Sequence, residues 1–180
     1  DGGIDLTVTG SVPSYSYVWS DGSNLEDIIN ISSGNYSVQI IDANLCNTTA
    51  SLILNEPTEL DLVILPQSDY NGFNVSCNGY NDGAYSAVVS GSVPAYSYQW
   101  SSGETGSVAN NLSAGSQFLT VIDVNQCFID TFFVMTEPTI LQLNLSSSNS
   151  YNGYDVSCHG YSDGGINLTV SGSVPSYSYV

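Results

Sequence analysis

Apolar and polar residues alternate along most of the chain with a period of two. In residues 4–9 every second side chain is apolar, and the next segment continues this spacing with Tyr15, Tyr17 and Trp19. Such alternation is typical of β-strands with one buried face. Further runs of this kind cover residues 36–41, 50–54, 60–65, 118–122, 131–135 and 141–145.

The sequence repeats itself without a gap. The shift that places Trp19 on Trp100 also places Cys77 on Cys158. The segment from Asp163 to the end of the chain matches the segment that begins at Asp1 at all but two positions. A fixed period, here of about 81 residues, indicates a tandem array of similar folding units.

Turn residues separate the apolar runs at intervals of roughly ten residues, which is typical of a β-sandwich. They lie at residues 10–13, 20–22, 33–34 and 42–44. The best helical candidate is residues 24–30, but its counterpart, residues 105–111, contains Gly106 and two Asn. That composition favours a loop or an edge strand. We therefore predict an all-β fold of tandem β-sandwich repeats.

Two Glu-Pro-Thr sequences mark the predicted domain boundaries. A proline after the last strand of a domain removes a hydrogen-bond donor from the sheet and stiffens the passage to the next domain. We predict an incomplete repeat that lacks its first strand, a complete repeat, and a second incomplete repeat that lacks its C-terminal part. Their ranges are 1–57, 58–138 and 139–180.

The charge of the chain excludes several kinds of function. It has 17 Asp and Glu, no Lys or Arg and one His, which gives a formal net charge of -17. Schiff-base lysines, phosphate-binding lysines and arginine clamps are thereby excluded. A basic surface for nucleic acid or anionic lipid is absent as well. Because the sequence has no apolar run long enough to span a bilayer, we also expect no membrane insertion.

Two cysteines per period predict disulfides and an oxidising, extracytoplasmic setting. With the boundaries above, Cys77 pairs with Cys127, and Cys46 and Cys158 find partners outside this sequence. The alternative is a bond between Cys46 and Cys77 across the Glu56-Pro57 junction. Metal binding by the cysteines is disfavoured, because no Cys-x-x-Cys spacing is present.

The recurring Tyr-x-Tyr-x-Trp row has two interpretations, a stacking surface for sugar rings or part of the sandwich core. The core is favoured, because the position between the second Tyr and the Trp varies from Val18 to Gln99, as expected of an outward side chain. The predicted core aromatic residues are Tyr15, Tyr17, Trp19, Tyr96, Tyr98 and Trp100.

The loop oxygens of Asp82, Asp123 and Asn125 are the candidates for a Ca²⁺ site. The alternative is turn formation, because Asp and Asn side chains form hydrogen bonds with the nearby backbone. We predict turns and expect no cofactor. We also predict no catalytic residue, because the single His159 aligns with Asn78 and no other base recurs.

The combined motifs of the period resemble the SprB repeat family, and the resemblance covers the whole chain. They are Cys77-Asn78-Gly79, Asp82-Gly83, residues 94–101, Gly115, Asp123-x-Asn125-x-Cys127 and Glu137-Pro138. Leu45 and Gln126 depart from the family, which usually has Gly before the second Cys. The resemblance implies tandem immunoglobulin-like domains in giant surface adhesins of gliding Bacteroidetes, exported by the type IX route.

We therefore expect a non-catalytic stalk or filament segment of a secreted cell-surface adhesin, with a role in adhesion or gliding motility. The expected partners are neighbouring repeats of the same chain, identical chains in a filament, and a surface polysaccharide or other substratum. The alternatives are a glycan-binding module and a component of a sheath or S-layer-type filament. Like charges within a Debye length of about 8 Å disfavour close lateral packing of identical chains.

Overall fold

The computed structural model describes residues 2–180, which form β-strands and turns and contain no helix. These residues therefore include no helix that is long and apolar enough to cross a membrane. The chain divides into two compact units, residues 2–58 (unit 1) and residues 59–180 (unit 2). The division falls one residue after the boundary predicted at Pro57, whereas the boundary predicted after Pro138 lies inside unit 2.

Unit 1 contains a two-stranded and a three-stranded antiparallel sheet, with strand orders β1-β3 and β2-β4-β5. Its core holds Trp19, Ile28 and Val38. The strands are β1 (Gly2–Ile4), β2 (Ser16–Trp19), β3 (Ile28–Ile31), β4 (Gly34–Ile41) and β5 (Asn47–Leu54).

Unit 2 contains one complete repeat of six strands, in two antiparallel sheets with orders β6-β7-β9 and β8-β10-β11. The segment between β8 and β9 forms turns and no strand. A further two-stranded sheet, β12-β13, follows. The strands are β6 (Asp61–Pro66), β7 (Gly83–Ser90), β8 (Ser97–Trp100), β9 (Val108–Leu112), β10 (Gly115–Ile122), β11 (Phe128–Met135), β12 (Gln142–Ser147) and β13 (Ile166–Ser171).

The two sheets of the complete repeat enclose one apolar core. Along β11, side chains alternate between the solvent and the interior and end at the buried Met135. This is the period of two that the sequence shows. The buried core residues are Val75, Ala87, Trp100, Ala109, Leu112, Leu119, Val121 and Met135.

The strand predicted for residues 4–9 is shorter in the structure, where β1 ends at Ile4. Its counterpart, β7, runs to Ser90 because β6 pairs with it from Asp61 to Pro66. Among the described residues of unit 1, residues 5–9 have no ladder partner. Of the loop or edge strand expected at residues 24–30, the structure has both, with a loop before Ile28 and then β3, which pairs with β1 alone.

Strand directions give the complete repeat two distinct ends. We call residues 91–96 and 123–127, beside the start of β6, the leading end. We call residues 74–79 and 136–138, where the chain leaves β11, the trailing end. Because β11 pairs with β10 over its whole length, from Phe128 to Met135, the two ends lie a full strand apart.

Candidate functional site at the ends of the repeat

At the trailing end, the loop between β6 and β7 is hydrogen-bonded to the residue that follows β11. The backbone amides of Asn74 and Val75 donate to the carbonyl oxygen of Thr136 at 3.0 and 3.1 Å. In return, the Thr136 amide donates to Oδ1 of Asn74 at 2.9 Å. The chain therefore leaves the sandwich along a fixed path.

The next residue, Glu137, extends this attachment with both carboxylate oxygens. Oε1 accepts a hydrogen bond from Nδ2 of Asn78 at 2.9 Å, and Oε2 accepts one from the amide of Gly79 at 2.6 Å. Nδ2 of Asn78 also donates a hydrogen bond to the carbonyl oxygen of Pro138 at 3.2 Å. The Pro138 side chain is buried. We call these four residues the junction clasp.

Sequence reasoning missed the clasp, because a Glu beside a junction proline is most simply interpreted as part of a linker. The contacts of Glu137 lie 58 and 59 residues away along the chain, so no local pattern predicts them. The available signal was the recurrence of Glu before Pro at both junctions. Glu56 itself is exposed.

At the leading end, the buried carboxylate of Asp123 holds two loops together. Its Oδ1 accepts from the amide of Cys127 at 2.8 Å, which closes the turn between β10 and β11. Its Oδ2 accepts from the hydroxyl of Ser92 and from the amide of Val93, at 3.3 Å for the latter. In unit 1, Asp42 makes the corresponding bonds to its own turn and to a serine hydroxyl.

Four aspartates have pKa values held below the ordinary value of a carboxyl group. In every case the largest cause is a hydrogen bond from a serine hydroxyl, and backbone amides contribute further. Hydrogen bonds to the charged form favour ionisation. The aspartates are Asp42, Asp82, Asp123 and Asp163, and their serines are Ser11, Ser76, Ser92 and Ser157.

We expect acid to destabilise the fold below about pH 4. The pKa values of these aspartates are lower in the folded than in the unfolded chain. The contribution of these aspartates to the stability of the fold is therefore complete above their pKa in the unfolded chain, about 3.9. It disappears as the pH falls through their lower pKa values in the folded chain. Urea unfolding at neutral pH, about pH 5 and about pH 3 measures the effect.

The variant Ser92→Ala provides the matched test, because it removes the hydroxyl that lowers the pKa of Asp123 most. Its free energy of unfolding should fall less than that of the wild type between about pH 5 and about pH 3. Ser90→Ala, at an exposed serine of β7, should keep the wild-type pH dependence. Identical pH dependence in all three proteins would contradict the role assigned to Asp123.

The structure places the aromatic row in the interior. Trp100 is buried, and its Nε1 donates to the carbonyl oxygen of Gly106 at 2.8 Å. Tyr96 and Tyr98 are half-buried against the same core, and the Tyr96 hydroxyl donates to the carbonyl oxygen of Gly91 at 2.6 Å. In unit 1, Trp19 is buried in the core, and Tyr15 and Tyr17 pack against it. In the complete repeat, Tyr96, Tyr98 and Trp100 thus pack as part of the apolar core.

The predicted bond between Cys77 and Cys127 is not formed, and all four cysteines are free and exposed. Cys127 directly precedes β11, whereas Cys77 lies in the loop that is attached to the residue after β11. Eight strand residues at about 3.3 Å each separate the two ends by about 26 Å. A disulfide requires Cα atoms within about 7 Å. Strand topology thus keeps these two cysteines apart within one repeat.

The Ca²⁺ candidates are engaged in turns. Both carboxylate oxygens of Asp123 accept hydrogen bonds, and so do those of Asp82, from the amide and the hydroxyl of Ser76. Asn125 is exposed in the turn. Among residues 2–180, no group of three or more His, Cys, Asp or Glu side chains is arranged to hold a metal ion.

Left-handed backbone geometry explains why glycine is the family's usual residue in the leading-end turn. Leu45 and Gln126 both have φ of 68°. Residues with a Cβ rarely adopt this left-handed backbone conformation, whereas glycine adopts it without strain. The family's usual Gly therefore suits this position, and the two repeats present here tolerate a residue with a side chain.

Comparison with known proteins identifies the repeat. The SprB repeat family model matches residues 1–24, 73–105 and 151–180, and the first two matches end at equivalent positions of the period. A search of curated proteins finds no significant match. The second match includes Cys77, Asn78 and Gly79 of the trailing end, and the aromatic row up to Trp100.

SprB repeats are structural repeats of large extracellular surface adhesins, and the family is not one of enzymes. The strands themselves recur with the period of the sequence, since β2, β4 and β5 begin at the positions equivalent to the first residues of β8, β10 and β11. The three matched segments, which together cover 87 of the 180 residues, are SprB repeats.

Proposed function

We propose that this chain is a structural stalk segment of a secreted cell-surface adhesin, in which each repeat sets the distance and direction of the next. The observation that carries the proposal is the junction clasp, in which Glu137 and Pro138 are fixed to the loop of Asn78 and Gly79. A stalk needs defined junctions, because a flexible linker at each repeat would let the array collapse into a coil.

The expected biological role is surface adhesion or gliding motility, with export by the type IX route. The three segments that match the SprB repeat family model support this role. Six strands at about 3.3 Å per residue, together with loops, suggest an advance of roughly 35 to 45 Å for each repeat. The formal charge of -17 keeps neighbouring stalks apart, so lateral association would require bridging cations or an apolar seam.

The variant Glu137→Ala tests the proposal at the clasp. It removes both acceptors of the trailing-end loop, and we expect a wider spread of angles at the junction that follows, with a cost in stability of about 1 kcal/mol. Asp130→Ala is the control, because it removes one negative charge from the outer face of β11. Electron micrographs of the tandem array give the angular distribution. Equal spreads in the two variants would refute the role of the clasp.

A second candidate function, binding of a neutral glycan, is favoured by one surface of the complete repeat. Phe118 and Phe132 form an aromatic pair on the outer face of the β8-β10-β11 sheet, with ring centroids 6.4 Å apart. Phe132 is 78 % exposed. The counterparts of these residues in unit 1 are Ser37 and Ser51. Exposed aromatic rings suit sugar faces, and the absence of Lys and Arg disfavours anionic glycans.

Replacement of this pair by the residues of unit 1 tests the second candidate. The double variant F118S/F132S should lose about tenfold or more in affinity for neutral polysaccharide. The conservative double variant F118Y/F132Y keeps two rings and should retain binding. Retention of F118S/F132S equal to that of the wild type on a neutral polysaccharide column would eliminate this function.

A further inference from the structure

The complete repeat carries its two cysteines at opposite ends. Cys127 lies in the turn of the leading end, and Cys77 lies in the loop of the trailing end; both are exposed. The counterparts have the same positions in the repeat, Cys46 before β5 and Cys158 after β12. Each repeat therefore offers one thiol in the direction of the preceding repeat and one in the direction of the following repeat.

A chain of contacts within unit 2 connects the trailing end to the next leading end. The loop of Cys77 binds the linker through Asn78, whose Nδ2 lies 3.2 Å from the carbonyl oxygen of Pro138. The next residue, Thr139, accepts a hydrogen bond through its carbonyl oxygen from the amide of Ser173 at 2.7 Å. Ser173 belongs to the loop that follows β13, so this loop lies against the same linker.

The complete repeat shows which residues lie beside the counterpart of the Ser173 loop. Ser173 is the counterpart of Ser92 in the following period of the sequence. Ser92 donates to Asp123, which accepts from the amide of Cys127 at 2.8 Å. In the repeat that begins at Thr139, the loop of Ser173 lies against the linker beside the loop of Cys77, and the counterpart of this loop in the complete repeat adjoins Cys127.

We propose that each junction of the array is closed by a disulfide between the trailing-end cysteine of one repeat and the leading-end cysteine of the next. Cys77 pairs with the leading-end cysteine of the following repeat, and Cys127 pairs with the trailing-end cysteine of the preceding one. This arrangement uses both cysteines of every internal repeat. The inference rests on the proposed stalk function and supplies a covalent lock for its junctions.

The bond forms by thiol–disulfide exchange with a disulfide-containing oxidant of the extracytoplasmic space. One cysteine thiolate attacks the oxidant and forms a mixed disulfide, with release of one oxidant thiol. The second cysteine thiolate attacks the protein sulfur of the mixed disulfide and releases the other oxidant thiol. Two protein thiols lose two protons and two electrons, and the oxidant disulfide is reduced to a dithiol.

Peptide mapping of the unreduced, secreted array tests the proposal. Free thiols are first alkylated, and the protein is then cut after Glu, because a chain without Lys or Arg offers no site for trypsin. Cleavage after Glu104 separates Cys77 from Cys127. We expect nearly all of the Cys77 peptide to be joined to the leading-end cysteine of the following repeat. A Cys77 to Cys127 link, a Cys46 to Cys77 link, or alkylated thiols would each overturn the proposal.

The variant Cys77→Ser distinguishes the pairings a second time. A junction disulfide predicts that the following repeat gains one alkylated thiol while Cys127 stays linked. A bond within the repeat predicts the reverse, with Cys127 alkylated. The angular spread of the reduced and alkylated array reports on the stalk function separately, because the junction clasp contains no thiol. An array that stays ordered after reduction would support the stalk function, whereas an array in which mapping finds no junction disulfide would reject the covalent lock and leave the stalk function standing.

Discussion

Replacement of Trp100 by alanine should destabilise the complete repeat by about 3 to 5 kcal/mol, which is much of the roughly 5 to 15 kcal/mol that a domain has. The side chain is 2 % exposed and packs edge-on against Phe133, with ring centroids 6.2 Å apart. Its removal also leaves the carbonyl oxygen of Gly106 without the indole donor. Thermal and urea unfolding of the whole chain measure the loss.

The matched control is Phe132→Ala on the outer face of β11, a strand of the same sheet. Phe132 is also an aromatic residue of a β-strand, but it faces the solvent. Its loss should change the free energy of unfolding by no more than about 0.5 kcal/mol. Similar losses for the two variants would mean that the Tyr-x-Tyr-x-Trp row does not form the core of the repeat.

Gly83→Ala should be the second most damaging change, with a cost of about 1 to 3 kcal/mol or more from overpacking. A Cβ on Gly83 would collide with the Cε methyl of Met135 and would lie 2.9 Å from the carbonyl oxygen of Leu112. The backbone oxygen cannot move away, because Gly83 and Leu112 are partners in the β7-β9 ladder. Only glycine lets the two strands and Met135 pack at this distance.

Gly106→Ala is the control for this second change. A Cβ there has the carbonyl oxygen of Val108 as its nearest neighbour, at 3.6 Å, which is an ordinary contact. The carbonyl oxygen of Gly106 still accepts from Trp100 after the substitution. We expect stability within about 0.5 kcal/mol of the wild type by urea unfolding. Equal losses for Gly83→Ala and Gly106→Ala would show that close packing at Gly83 is not the cause.

The alternation of side chains was sufficient to predict the all-β fold and several individual strands. Residues 118–122 and 131–135, predicted as strands from their pattern, lie in β10 and β11. The same pattern indicates an inward position for Trp100. These features depend on the two-residue period of a strand and the burial of one face, both of which are local properties of the sequence.

The positions of the loops could not be predicted in the same way. Alternation shows which face of a strand a residue occupies, but the end of the sandwich at which a loop lies depends on strand order and direction. The predicted pairing of Cys77 with Cys127 fails for this reason, because the two loops lie at opposite ends of β11. The contacts of Glu137 were also missed, since its partner Gly79 is 58 residues away in the chain.

Electron microscopy of the intact tandem array is the most direct test of the central claim, that clasped junctions make the array a semi-rigid stalk. We predict an advance of roughly 35 to 45 Å per repeat and a near-constant rotation between neighbours, because strands rise about 3.3 Å per residue and the linkers have little slack. Widely scattered rotations, or an advance below about 25 Å from repeats folded side by side, would contradict the account.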